Sequence, residues 1–80
     1  MIRLVFLGRL ADLAGTGERE LAVHGPVSLA QLLTLLGDPL AAALGEPRVK
    51  LALNGVLAAR EGLELAPGDE LAFLPPVSGG

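Results

Sequence analysis

A chain of 80 residues with 51% hydrophobic, 19% charged and only 2% aromatic side chains makes one small globular domain, too short for a second core and too apolar for a disordered segment. Six Lys or Arg against nine Asp or Glu give a net charge of -3, and no basic run is present to neutralise successive phosphates, which argues against nucleic-acid binding. The absence of cysteine removes disulfides, thiolate metal sites and cysteine nucleophiles together; no apolar stretch reaches membrane-spanning length, so a soluble, cytoplasmic protein without membrane association is expected.

Ile2–Leu7 is a short apolar run stopped at Gly8, which predicts a buried strand. Arg9–Ala14 has room for a turn of helix, Gly15-Thr16-Gly17 reads as a loop, and Glu18–His24 has strand character until Gly25-Pro26 ends it. Ser28 followed by Gln31 is a capping-box pair, and Leu29, Leu32, Leu33 and Leu36 fall on one helical face until Gly37, which predicts the principal helix. Asp38-Pro39 reads as an N-cap with proline at the first helical position, so a short second helix is expected over Leu40–Leu44, stopped by Gly45.

Val49–Leu53, Asn54-Gly55 and Val56–Ala58 predict a hairpin closed by a type I′ turn, because Asn-Gly accepts the positive φ angles this turn demands. Pro67-Gly68-Asp69 is a turn and Glu70–Leu74 a closing strand. This order predicts an α+β fold, a mixed sheet of four to five strands with one main helix and short extra helices. By analogy of pattern it is that of the β-grasp, or ubiquitin-like, roll, whose first and last strands lie parallel at the sheet centre. The domain is expected over residues 1–74, with a flexible Gly-Gly tail over 75–80.

The body of the chain offers no catalytic set. His24 is the only histidine and sits at a strand end, so no Ser-His-Asp arrangement is available. Glu61 and Glu64 lie in a short polar segment where solvated charge is the ordinary condition, and Gly15-Thr16-Gly17 lacks the further Gly and Lys-Ser/Thr of a phosphate loop. The tail Pro75-Pro76-Val77-Ser78-Gly79-Gly80 is different. Two terminal glycines arise by chance roughly one time in 200 at average composition, and two prolines favour an extended exit that advances about 3.1 Å per residue. Glycine backbone, having no Cβ, passes through a narrow channel of a partner enzyme. The end is thus expected to be presented, with the Gly80 carboxylate as its reactive group.

In Gly68-Asp69-Glu70-Leu71-Ala72-Phe73-Leu74-Pro75-Pro76-Val77-Ser78-Gly79-Gly80, supported by Met1-Ile2-Arg3-Leu4-Val5-Phe6 and the Asn54-Gly55 hairpin, the chain resembles the ubiquitin-like sulfur carriers of the molybdopterin synthase small-subunit type. The resemblance implies that an E1-like adenylating enzyme uses ATP to activate the Gly80 carboxylate, that a sulfur donor converts it to a thiocarboxylate, and that Gly79 follows it through the channel. It implies that the large subunit of molybdopterin synthase receives the tail, in a heterotetramer where sulfur passes to the pterin precursor. The small subunit then binds no cofactor or metal of its own and supplies no acid or base. Leu7, Phe73, Leu74, Pro75, Pro76, Val77 and Ser78 are the implied partner contacts.

Alternation gives an independent expectation. Ile2, Leu4 and Phe6 share one face with Leu71 and Phe73, leaving Val5, Leu7, Ala72 and Leu74 on the other. One main helix covers only one face, so the second is expected to be an apolar patch beside the tail, unless the 38–45 helix or a loop covers it. The same fold and ending also suit a carrier for thiamin or tRNA thiolation. Other readings are a protein modifier joined to lysines through Gly80, or a plain binding module.

Overall fold

The structure, a computed structural model, describes residues 1–76. Its elements run β1 (Ile2–Phe6), α1 (Arg9–Ala14), β2 (Glu18–Leu21), β3 (Val27–Ser28), α2 (Leu29–Leu36), α3 (Leu40–Leu44), β4 (Lys50–Leu53), β5 (Val56–Ala58), β6 (Glu64–Leu65) and β7 (Glu70–Leu74). Five strands form a mixed sheet in the order β2-β1-β7-β4-β5, and β3 pairs with β6 in a separate small ladder. β1 and β7 are parallel neighbours at the centre; β1–β2, β7–β4 and β4–β5 are antiparallel. This is the expected α+β, ubiquitin-like arrangement.

The core lies on one side of the sheet. Ile2, Leu4, Phe6, Leu51, Leu71 and Phe73 point into it, met by Leu10 of α1, Leu29 and Leu32 of α2, Leu40 and Leu44 of α3, and Leu65 of β6. Each fully buried side chain of this size contributes roughly 1.5–3 kcal/mol. Phe6 and Phe73 stack with ring centroids 5.7 Å apart and planes within 10°, which adds about 0.5–1.5 kcal/mol beyond burial.

Local chemistry explains most boundaries. The α2 capping box forms as expected: Gln31 N–H donates to Ser28 Oγ at 3.1 Å, and Ser28 N–H donates to Gln31 Oε1 at 2.9 Å. Asn54 and Gly55 take φ angles of 50° and 85°, both positive as a type I′ turn requires. The Pro67-Gly68-Asp69 turn is latched to this hairpin: Asn54 Nδ2 donates to Asp69 Oδ1, Glu70 N–H donates to Asn54 Oδ1, and Ala66 N–H donates to Asp69 Oδ2. The Ala66 amide first and the Asn54 amide second hold the Asp69 carboxyl below its ordinary pKa.

Three expectations need correction. The strand from Glu18 ends at Leu21 and does not reach His24, because β1 begins at Ile2, the partner of Leu21, and beyond it the ladder has no strand to join. Asp38 does not cap α3. Pro39 occupies the N-cap position without a side-chain hydrogen bond, and the Ala41 N–H is satisfied by the Gly37 carbonyl at 2.8 Å. The β3–β6 pair was not foreseen at all.

One further tie has no sequence signature. Arg60 Nη2 donates to the carbonyl oxygens of Leu44, Glu46 and Val49 at 2.8–2.9 Å, clamping the segment that leads from α3 into β4.

Candidate functional site

The central pair β1 and β7 sets the geometry of the site. Phe6 lies opposite Phe73, and Leu7 N–H extends the ladder by donating to the Phe73 carbonyl at 3.1 Å. Continuing this register by two residues brings Gly8 alongside Pro75. Gly8 has φ 56° and ψ −136°, and a Cβ built on it would lie 3.0 Å from Pro75 Cγ. Glycine is required here twice over, for a backbone conformation that L side chains avoid and for room against the ring.

We therefore expect Gly8→Ala to destabilise the domain by on the order of 1–3 kcal/mol, the typical cost of such a backbone angle. It should also displace Pro75. Urea titration reads the first effect and NMR shifts of the prolines the second; an unchanged midpoint with unchanged proline signals would contradict the fit.

Pro75 and Pro76 are both half-buried. Pro76 lines a groove of about 570 Å³ together with Arg9, Leu13, Ala43, Arg48 and Val49. The first two residues of the expected tail thus lie against the domain. The reason is steric: Gly8 leaves space for one ring and the α1–α3 groove for the next. Val77, Ser78, Gly79 and Gly80 lie outside the described residues.

The face of the sheet opposite the core carries Leu7 and Leu74, two of the residues expected to contact a partner. Val5, Ala72, Ala52 and Leu57 stand opposite one another across four strands, with Leu74 paired to Lys50 beside them and Leu7 following β1. Leu57 is 71% and Leu7 41% exposed. All three helices and the β3–β6 pair place their buried side chains on the other side. Among the described residues no helix covers this face, so α3 does not shield it.

Leu7 and Leu74 are where the sequence put them. Phe73 is corrected: it is 0% exposed, because it alternates with Ala72 and Leu74 and points into the core, so it supports the patch from beneath and makes no contact above it. Leu57 and Ala52 were missed as members of the patch. The Asn54-Gly55 turn, extended by alternation into β5, carried the signal that would have found them. His24, Glu61 and Glu64 are exposed, the ordinary condition of solvated charge.

An apolar sheet face thus lies beside the exit of the closing strand, and comparison with known proteins gives the family. Residues 4–80 match the ThiS family. The chain belongs to the ThiS family. It is 35% identical over 82 residues to the molybdopterin synthase sulfur carrier subunit of Escherichia coli (strain K12), with 100% of both chains covered. Among solved structures it is similar to SAMP1 from Haloferax volcanii, at TM-score 0.76 and 32% identity over 99% of this chain and 98% of that one. A protein–protein complex of subunits 1 and 2 of the molybdopterin-converting factor from Helicobacter pylori 26695 contains a chain of the same fold, at TM-score 0.66 and 23% identity over 99% of this chain and 97% of that one. ThiS-family membership and the ubiquitin-like fold agree with what the tail motif and the element order imply.

Proposed function

We propose that this ThiS-family chain is the sulfur carrier subunit of a molybdopterin synthase, with Gly80 as the bearer of sulfur. The observation that carries the reading is its likeness, over the whole length of both chains, to the carrier subunit of Escherichia coli. The open apolar face around Leu7 and Leu74 supports it, since a carrier has to be gripped by more than one partner.

In the proposed cycle an E1-like adenylating enzyme joins the Gly80 carboxylate to AMP from ATP, releasing pyrophosphate. Hydrosulfide supplied by a sulfur donor attacks the mixed anhydride at its acyl carbon and displaces AMP, and loss of its proton leaves a thiocarboxylate. That group is anionic and far more nucleophilic than a carboxylate. Inside the large subunit its sulfur displaces a leaving group from an activated carbon of the pterin precursor, and water cleaves the acyl–sulfur bond, returning the carboxylate and leaving a thiol on the precursor. This chain supplies position alone: Leu7 and Leu74 dock, Pro75 and Pro76 aim the exit, Val77 and Ser78 contact the partner's channel, and Gly79 lets it close around the backbone.

The test is intact-mass analysis after incubation with ATP, an adenylating enzyme and a sulfur source. The chain should gain the mass difference between sulfur and oxygen, and the product mixed with a competent large subunit and the cyclic precursor should yield molybdopterin. A thiocarboxylated chain that gives no product there would move the reading to thiamin or tRNA thiolation. Leu7→Asp should weaken large-subunit binding about tenfold or more, or about 1.4 kcal/mol, while changing stability by no more than about 0.5 kcal/mol. Unchanged affinity by calorimetry would remove the sheet face from the interface.

A second reading has one specific observation behind it, the likeness to the small archaeal modifier protein of Haloferax volcanii. A modifier joins its terminal carboxyl to lysines of other proteins. Extracts probed for the chain would then contain higher-mass covalent adducts that disappear when Gly79-Gly80 is deleted.

A further inference from the structure

The hairpin tip Asn54-Gly55 carries chemistry that sulfur transfer does not use. In an Asn-Gly pair the glycine nitrogen closes readily on the asparagine side-chain carbon, because no Cβ obstructs the approach. Asn54 is exposed, and a Cβ built on Gly55 would meet nothing within 4 Å, so water reaches both residues. Yet the Asn54 side chain is held at both ends. Nδ2 donates to Asp69 Oδ1 at 3.0 Å, and Oδ1 accepts from Glu70 N–H at 2.9 Å. The holder is itself anchored, since Asp69 Oδ2 accepts from Ala66 N–H at 2.9 Å and Asn54 N–H donates to the Glu70 carbonyl at 2.8 Å.

We propose that Asn54-Gly55 is a site of spontaneous deamidation held in check by Asp69 and Glu70, and that the modification, once made, undoes the hold. The Gly55 nitrogen gives its proton to solvent and bonds to Asn54 Cγ; the Cγ–Nδ2 bond breaks and that nitrogen leaves as ammonia. Water then opens the cyclic imide at either carbonyl, giving aspartate or isoaspartate. To reach Gly55, Cγ has to swing away from Asp69 and Glu70, breaking both side-chain hydrogen bonds, so the latch adds to the barrier. The product presents an anionic oxygen where the donating NH2 stood, and attraction across 3.0 Å becomes repulsion between two carboxylates. The isoaspartate form also lengthens the backbone of a two-residue turn on which the Leu53–Val56 pairing depends. Conversion therefore loosens the hairpin that carries Leu57 at the edge of the open face.

The test follows Asn54 deamidation by peptide mass mapping at fixed neutral pH, in the native chain, in the same chain in concentrated urea, and in Asp69→Ala. The native chain should be slower than the urea-unfolded one. Asp69→Ala with a native NMR spectrum should exceed the native rate roughly fivefold, the factor that one lost hydrogen bond represents. Equal rates in the native and unfolded chain, or a folded Asp69→Ala at the native rate, would overturn the protection. The native-against-urea comparison uses the unaltered chain and decides the matter whether or not the variant folds. Asn54→Asp reads the second half: its thermal midpoint should fall below that of the parent chain, and an unchanged midpoint would refute the loss of the latch.

Discussion

Deleting Gly80 is expected to abolish sulfur transfer while leaving the domain folded and its docking face competent. The folded core is assembled from β1 to β7 without any residue beyond Phe73, so the thermal midpoint should stay where it is. Large-subunit binding through Leu7 and Leu74 should persist, since these residues precede the tail. The shortened chain still ends in a carboxylate, that of Gly79, but one residue, at most about 3.6 Å, short of the reach that the proposed adenylation and sulfur loading require. The shortened chain should show no sulfur-for-oxygen mass gain and form no molybdopterin above background. Full transfer by the shortened chain would end the assignment of Gly80 as the bearer of sulfur.

Phe73→Ala should be the most damaging single substitution in the body of the chain. Phe73 is fully buried and stacks on Phe6, between neighbours in β1 and β4 that are held by the sheet and collapse little into a void. Truncating such a ring costs about 3–5 kcal/mol. A domain of this size is stable by about 4–12 kcal/mol at the usual 0.05–0.15 kcal/mol per residue, so the variant keeps at best a fraction of its stability. The urea midpoint should fall steeply, and carrier activity should fall only as far as the folded population does. A variant with the parent's midpoint would mean that the ring is not packed as described.

What was legible in the sequence was what is encoded locally. The Ser28–Gln31 box, the Asn54-Gly55 turn and the alternation of β1 and β7 each fit within a few residues, and each specifies its own geometry. Alternation alone divided Leu4 and Phe6 from Val5 and Leu7, which made the open face readable before any fold was known. The remainder depends on pairing between distant segments. β3 and β6 are two residues each and join Val27 to Leu65, too short to have a period. The approach of Pro75 to Gly8 exists only once the β1–β7 register is fixed; from sequence Gly8 reads merely as a strand terminator. The Asp69–Asn54 latch likewise spans 15 residues. Phe73 was assigned to the contact set through its place in the tail motif, although its own alternation put it inside.

The central parallel pair also fixes when this molecule can exist as a folded object. β1 precedes β7 by nearly the whole domain, yet each needs the other as its principal neighbour, and such distant closure makes folding slow to begin. A nascent chain lacking β7 leaves Ile2, Leu4 and Phe6 without their partners in the middle of the sheet. Folding of the domain is therefore held back until β7 has been synthesised, and a copy lacking β7 has no native sheet face to present.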